Sequence, residues 1–216
     1  MYITHRDVKP SNFLYKKENR RGMIIDLSLC DLNIKVCDSD WYKSPEKAFF
    51  IDRILRIQLL IGKNKFGTEG YMPLETMLVT DRQGVAVDIW TLGVIYLQLL
   101  IKKQFLFSQM QLIIFDNPSQ KLRKLYNSIA LFLIQLANLF GPHEVKLACQ
   151  QFGYFVSFPT SIDGNFDKIK EHLKFNCCQT KELLFLRQLL ALDPRNRPSS
   201  LEAYRFFTGD ELPTNR

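Results

Sequence analysis

The spacing that would build a disulfide framework is missing from this sequence. Cys30, Cys37, Cys149, Cys177 and Cys178 make an odd set of five with no Cys-x-x-Cys pair. The opening Met1-Tyr2-Ile3-Thr4-His5-Arg6 also lacks the basic-then-apolar order of a leader. Both absences point to free thiols in a reducing compartment, nuclear or cytoplasmic. Long apolar runs are equally scarce. The most apolar, Ile89 to Ile101, has Asp88 at its edge and falls short of the ~20 residues a bilayer requires, so no membrane partner is expected. There is no internal repeat, and no basic motif with interleaved aromatics that would predict direct nucleic-acid contact.

What is present is a globular composition. Of 216 residues, 46% are hydrophobic, 24% charged and 12% aromatic, which excludes disordered and collagen-like architectures. At ~150 residues per domain the length corresponds to about 1.4 domains, enough to bury a sizeable core. The net charge of +7 suits anionic partners, although a basic surface solvated on all faces is the simpler account of it.

Two short apolar segments, Phe13-Leu14-Tyr15 and Met23-Ile24-Ile25, flank a charged stretch ending at Gly22 and predict a small β-hairpin. The tip, Lys16-Lys17-Glu18-Asn19-Arg20-Arg21, reads as a solvated turn. Residues 27–83 are punctuated by Pro45, Gly62, Gly67, Gly70 and Pro73, with a helix-compatible stretch at Ala48 to Ile61. Gly84 to Leu100 is apolar almost all round, as in a helix enclosed on every side. Helical spacing continues over Lys121 to Phe140, Glu144 to Phe152 and Lys181 to Leu192. A last helix, Ser199 to Phe207, follows Pro198 and has Glu202 placed for a capping box. The fold class predicted is α+β, mainly α.

The string His5-Arg6-Asp7-Val8-Lys9-Pro10-Ser11-Asn12 resembles the protein-kinase catalytic loop H-R-D-x-K-P-x-N. In such a loop the aspartate accepts or orients the proton of the attacking hydroxyl. The lysine neutralises the transferring phosphoryl group, and the asparagine holds Mg²⁺. The resemblance assigns these roles to Asp7, Lys9 and Asn12. Asp26, in Asp26-Leu27-Ser28, resembles the D-F-G aspartate that bridges Mg²⁺ to nucleotide phosphates, with Leu27 as a replacement apolar plug. A turn-capping role is the simpler alternative for Asp26. Ser28 stands where the family has glycine, a strain of roughly 1–2 kcal/mol if a positive φ is required there.

Gly67-Thr68-Glu69-Gly70-Tyr71-Met72-Pro73-Leu74-Glu75 is similar to G-T-x-G-[FY]-x-A-P-E. That likeness implies that Thr68 bridges Asp7 and Lys9, and that Glu75 pairs with Arg197 of Leu192-Asp193-Pro194-Arg195-Asn196-Arg197-Pro198. Asp88-Ile89-Trp90-Thr91-Leu92-Gly93 resembles D-x-W-S-x-G, with Asp88 accepting backbone N–H groups around His5 and Arg6. His143 and His172 fit no ligand pattern. Residues 30–66 fall in a long activation segment that could hold an insertion for a partner.

Thr4 to Tyr15 is very close to the loop of the cell-division-cycle-seven kinases, the catalytic subunits of DDK. Gln135 to Phe158 is similar to the segment after their central helix. Casein-kinase-one-like enzymes share Lys-Pro-x-Asn-Phe-Leu but not the A-P-E-like stretch. The likeness implies a serine/threonine-protein kinase using ATP and Mg²⁺, and nuclear. Its implied partners are replicative helicase subunits as protein substrates and an activating regulatory subunit. Glu69 and Met72 replace the family's Pro and Arg, which puts a preference for acidic sites in question.

No Gly-x-Gly occurs among the ten glycines, so the nucleotide half of a kinase has no counterpart downstream of His5. The expectation is the C-terminal (large) lobe with the N-terminal lobe absent. Residues 1–210 form a partial kinase domain and 211–216 a tail, with Met1 internal to a longer product. Such a chain by itself is not expected to bind Mg·ATP. A catalytically silent scaffold is the alternative, although it has no need of Asp7, Lys9, Asn12 and Asp26 together.

Overall fold

The computed structural model describes residues 2–33, 66–80, 83–101, 128–169 and 180–209. The Ala48–Ile61 stretch, most of the 30–66 segment, the start of the Lys121 helix, Cys37, Cys177, Cys178, His172 and the 211–216 tail lie outside them. Among the described residues, four short strands precede six α-helices. They are β1 (Tyr2–Thr4), β2 (Phe13–Lys16), β3 (Arg21–Ile24) and β4 (Asp31–Asn33). The helices are α1 (Leu74–Met77), α2 (Ala86–Ile101), α3 (Ser128–Phe140), α4 (Pro142–Gln151), α5 (Thr180–Leu189) and α6 (Ser200–Thr208). The mainly helical expectation holds across these residues.

The predicted hairpin forms, with Phe13 opposite Ile24 and Lys16 opposite Arg21. Its basic tip is exposed. A second antiparallel pair, β1 with β4, was not anticipated. It sets Tyr2 opposite Asn33 and Thr4 opposite Asp31. Strands of three residues are too short to show a period of two, so neither announces itself in the sequence. The pair matters because it brings the chain after Asp26 back alongside the chain entering His5.

Helix α2 is the centre of the core. Trp90, Val94 and Leu97 are fully buried on it, in one cluster with Leu74, Leu136, Val145, Leu186 and Leu190. Enclosure is incomplete, since Leu99 remains 68% exposed and corrects the all-round prediction. Gly93 is where α5 crosses. A Cβ there would stand 2.9 Å from Leu189 Cβ and 2.8 Å from Leu190 Cδ2, so a larger residue would push the helices apart. At the far end, α6 starts with the predicted capping box, Ser199 and Glu202 each satisfying the other's backbone N–H.

A buried ion pair joins α1 to the turn that precedes α6. Arg197 Nη1 and Nη2 donate to Glu75 Oε1 and Oε2 at 2.5 and 2.9 Å, and both side chains are fully buried. The guanidinium also donates to the carbonyls of Ala86 and Ala191 and lies 5.2 Å from the Trp90 ring centre. Geometry of this kind repays the desolvation of both charges, but only while both are present. Cys30 and Cys149 are free, as expected, and burial pushes each thiol up to about 11.

Two outcomes follow from this packing. Glu75→Ala leaves Arg197 charged and alone in the core, so a loss of about 3–5 kcal/mol is expected in denaturant unfolding. Below pH 9, Cys30 and Cys149 stay protonated. They should alkylate with iodoacetamide on the order of 100-fold more slowly than an ordinary thiol, measured peptide by peptide in mass spectra.

Candidate active site

The loop between β1 and β2 is suspended from α2. Asp88, in the first turn of α2, accepts the N–H of His5 at 2.6 Å through Oδ2 and the N–H of Arg6 at 2.8 Å through Oδ1. Burial raises the Asp88 carboxyl above its ordinary value, and the two N–H groups oppose that rise. Arg6 takes the left-handed conformation, φ +67°, which costs a non-glycine residue ~1–2 kcal/mol. Two hydrogen bonds to a charged acceptor, at ~1.5–3 kcal/mol each, outweigh that strain.

His5 bridges the loop to the end of the hairpin. Its Nδ1 accepts the N–H of Asp7 at 3.3 Å, and its Nε2 stands 3.1 Å from the carbonyl of Ile25. The Nε2–H tautomer satisfies both contacts at once. The N–H of Ile25 donates in turn to the carbonyl of Asn12 at 2.9 Å. A 3₁₀ turn, Pro10–Asn12, closes the loop, with proline preset for its first position.

Four of the predicted side chains meet. The Thr68 hydroxyl donates to Asp7 Oδ1 at 2.6 Å and accepts from Lys9 Nζ at 2.6 Å. Lys9 Nζ also donates to Asp7 Oδ2 at 2.7 Å. Asn12 Nδ2 donates to the same oxygen at 3.1 Å and to the Asp7 carbonyl at 2.9 Å. Asp7 and Asn12 are buried. A carboxylate offers about four acceptor positions, and three of them are taken here, two on Oδ2 and one on Oδ1. The position left on Oδ1 suits an incoming hydroxyl, with the ammonium of Lys9 beside it.

Thr68 reaches Asp7 because its segment passes directly under the loop. Gly67 has φ +92°, and a Cβ on it would lie 2.6 Å from the carbonyl oxygen of Arg6. Only glycine permits both the backbone conformation and the approach.

Asp26 follows Ile25, the residue whose N–H is bonded to the Asn12 carbonyl. Its carboxylate is exposed and caps the turn Leu27–Leu29, accepting from Ser28 Oγ at 2.6 Å and more weakly from Ser28 N at 3.4 Å. The Ser28 hydroxyl, then its N–H, hold the Asp26 carboxyl below the usual carboxylate range, and the charge of Lys9 lowers it further. Two expectations are corrected here. Positive φ falls on Asp26 itself, at +67°, not on Ser28, so the predicted strain at Ser28 does not arise. Leu27 is 65% exposed and does not act as an apolar plug.

The donor set fits a hard cation. Both Asn12 Nδ2 hydrogens are spent on Asp7, which leaves Oδ1 as a ligand, and Ser28 engages Oδ1 of Asp26, which leaves Oδ2. Among the described residues no cluster of three or more His, Cys, Asp or Glu side chains could cage a metal. One amide oxygen and one carboxylate are the protein share that Mg²⁺ takes when phosphates and water complete its shell.

Three contributors escaped the sequence reading. Asp31 pairs with the Arg6 guanidinium, Phe66 stacks against it at 4.7 Å, and Cys30 Sγ sits 3.8 Å from the carbonyl of His5. None belongs to a recurring motif, and only the β1–β4 register places Asp31 and Cys30 beside the loop.

A family model described as the protein kinase domain matches residues 1–206. Probable cell division control protein 7 homolog 2 of Encephalitozoon cuniculi (strain GB-M1) is 27% identical over 169 residues, covering 70% of this chain and 42% of that protein. The cell cycle serine/threonine-protein kinase hsk1 of Schizosaccharomyces pombe (strain 972 / ATCC 24843) is 26% identical over 235 residues, covering 93% of this chain and 43% of its own length. The non-specific serine/threonine protein kinase Cdc7 of Drosophila melanogaster is 27% identical over 187 residues, 70% of this chain and 26% of that protein. The chain thus spans less than half the length of these relatives. By the reach of that family model, and by the company of these relatives, the chain belongs to the protein kinase domain family and is Cdc7-like within it.

Proposed function

We propose that this chain carries the catalytic machinery of a serine/threonine-protein kinase that transfers the γ-phosphate of ATP to protein hydroxyls. The observation that carries the reading is the closed network of Asp7, Lys9, Thr68 and Asn12. In it Asp7 receives the substrate hydroxyl at the free position of Oδ1 and orients its proton. Lys9, bonded to both Asp7 and Thr68, sets positive charge where the transferring group gains negative charge. Thr68 fixes the distance between Asp7 and Lys9. Asn12 and Asp26 would hold Mg²⁺, which when bound offsets the charge of the nucleotide phosphates.

The same reading makes residues 1–210 the large lobe of the kinase fold. Helix α2 is its central helix, and the Glu75–Arg197 pair its brace. Printed names of the relatives, cell division control and cell cycle kinase, support a role in cell-cycle control. The Cdc7-like loop extends this to initiation of DNA replication in the nucleus. Replicative helicase subunits are then the substrates, with a DDK-type regulatory subunit as activator. A silent scaffold would gain nothing from holding Lys9 against Asp7 and Thr68 at hydrogen-bonding distance.

The test uses the full-length protein with serine, threonine and tyrosine peptides and labelled ATP. Asp7→Asn should lower kcat by about 10²–10⁴-fold with stability little changed. Thr68→Val should cost kcat on the order of 10-fold, and Thr68→Ser should restore it because the hydroxyl bridge returns. Transfer that survives Asp7→Asn, or that prefers tyrosine, defeats the assignment.

A further inference from the structure

Arg6 serves the loop twice. Its N–H is fixed by Asp88, and its side chain, only 12% exposed, forms an ion pair with Asp31 on β4, whose side chain is 25% exposed. The guanidinium lies over the ring of Phe66, the residue before Gly67, and Gly67 in turn packs against the Arg6 carbonyl. Arg6 Nε is buried with no acceptor, so among the described residues Asp31 is the anion paired with this charge. A single guanidinium therefore ties together β4, the residue before Asp7 and the segment that delivers Thr68.

Kinases switched by phosphorylation order their activation segments through new pairs between arginine and phosphate. Here a carboxylate already occupies that relation to the arginine adjoining Asp7. We propose that the Arg6–Asp31 ion pair is a built-in clasp that positions Asp7 and Thr68, with β4 supplying the anion that an added phosphate would otherwise supply, so that transfer needs no phosphorylated partner for Arg6. Arg6 and Asp31 are positioning residues, because they act through Asp7 and Thr68. The register that puts Asp31 opposite Thr4 makes the anion part of the fold, present whenever β1 and β4 pair. The inference rests on the phosphotransfer reading above.

The experiment compares the full-length wild type with Arg6→Gln, Asp31→Asn, the double variant and Asp31→Glu, by thermal unfolding and by steady-state kinetics before and after phosphatase treatment. Asp31→Asn should lower kcat by about 10–100-fold while KM for ATP and peptide changes little, since a misplaced catalytic group costs rate more than binding. Asp31→Glu, which keeps the charge, should stay within about threefold of wild type. Phosphatase should leave wild-type kcat unchanged. In unfolding, the double variant should be no less stable than the weaker single variant, because the two changes remove one interaction.

Wild-type kcat in Asp31→Asn, a loss of kcat on phosphatase treatment, or additive unfolding shifts would each overturn the clasp. Should Asp31→Asn fail to fold, Asp31→Glu and the phosphatase arm still decide the matter. Should the wild type transfer no phosphate at all, the kinase reading falls, and the clasp stands or falls on the unfolding cycle alone.

Discussion

Asp88 is the point from which the site hangs. One carboxylate in the first turn of the central helix takes two successive N–H groups of the catalytic loop. It thereby holds Arg6 in a conformation that the residue would not adopt alone. The placement is electrostatically sound, since the N-terminal turn of α2 favours negative charge and offsets part of the burial penalty on Asp88. Everything downstream inherits this geometry. His5 can bridge to Ile25, Asp7 can face Thr68, and Arg6 can turn its guanidinium to Asp31 only because the backbone between them is fixed.

The second constraint is the path of the segment from Phe66 to Leu78. It is pinned at its start by the contact of Gly67 with the Arg6 carbonyl and at its end by Glu75 on Arg197. Between those pins, the Thr91 hydroxyl donates toward the carbonyl of Tyr71, so α2 grips the middle as well. Thr68 is thus presented to Asp7 by a backbone with little freedom. In energetic terms the buried Glu75–Arg197 pair is less a source of net stability than a lock. A hydrophobic pair of the same shape could hold the helices, but two complementary charges admit one register.

Much of this was legible in the residues. The hairpin followed from two apolar runs around a charged turn. The last helix followed from Ser199 and Glu202, and the convergence of Asp7, Lys9, Asn12 and Thr68 from motifs whose order and chemistry leave little latitude. Asp26 was legible as a carboxylate at the hairpin's end. Its local behaviour was not. Which residue of Asp26-Leu27-Ser28 takes positive φ depends on how Ser28 bonds to the carboxylate, and exposure of Leu27 depends on what packs around it. The β1–β4 pair was hidden because three-residue strands carry no periodicity. The Asp31 contact was hidden with it, since it exists only through that register.

The amino-acid order by itself determined the helical repeat, the caps and the identity of the reacting groups, because those depend on neighbours within a few positions and on the intrinsic chemistry of carboxylate, ammonium and amide. Tertiary structure alone decided which carboxylate faces which cation. Arg6 could have met Asp7, Asp26, Asp31 or Asp88. Only the folded backbone, by setting distances between residues far apart in the chain, gave its N–H to Asp88 and its guanidinium to Asp31.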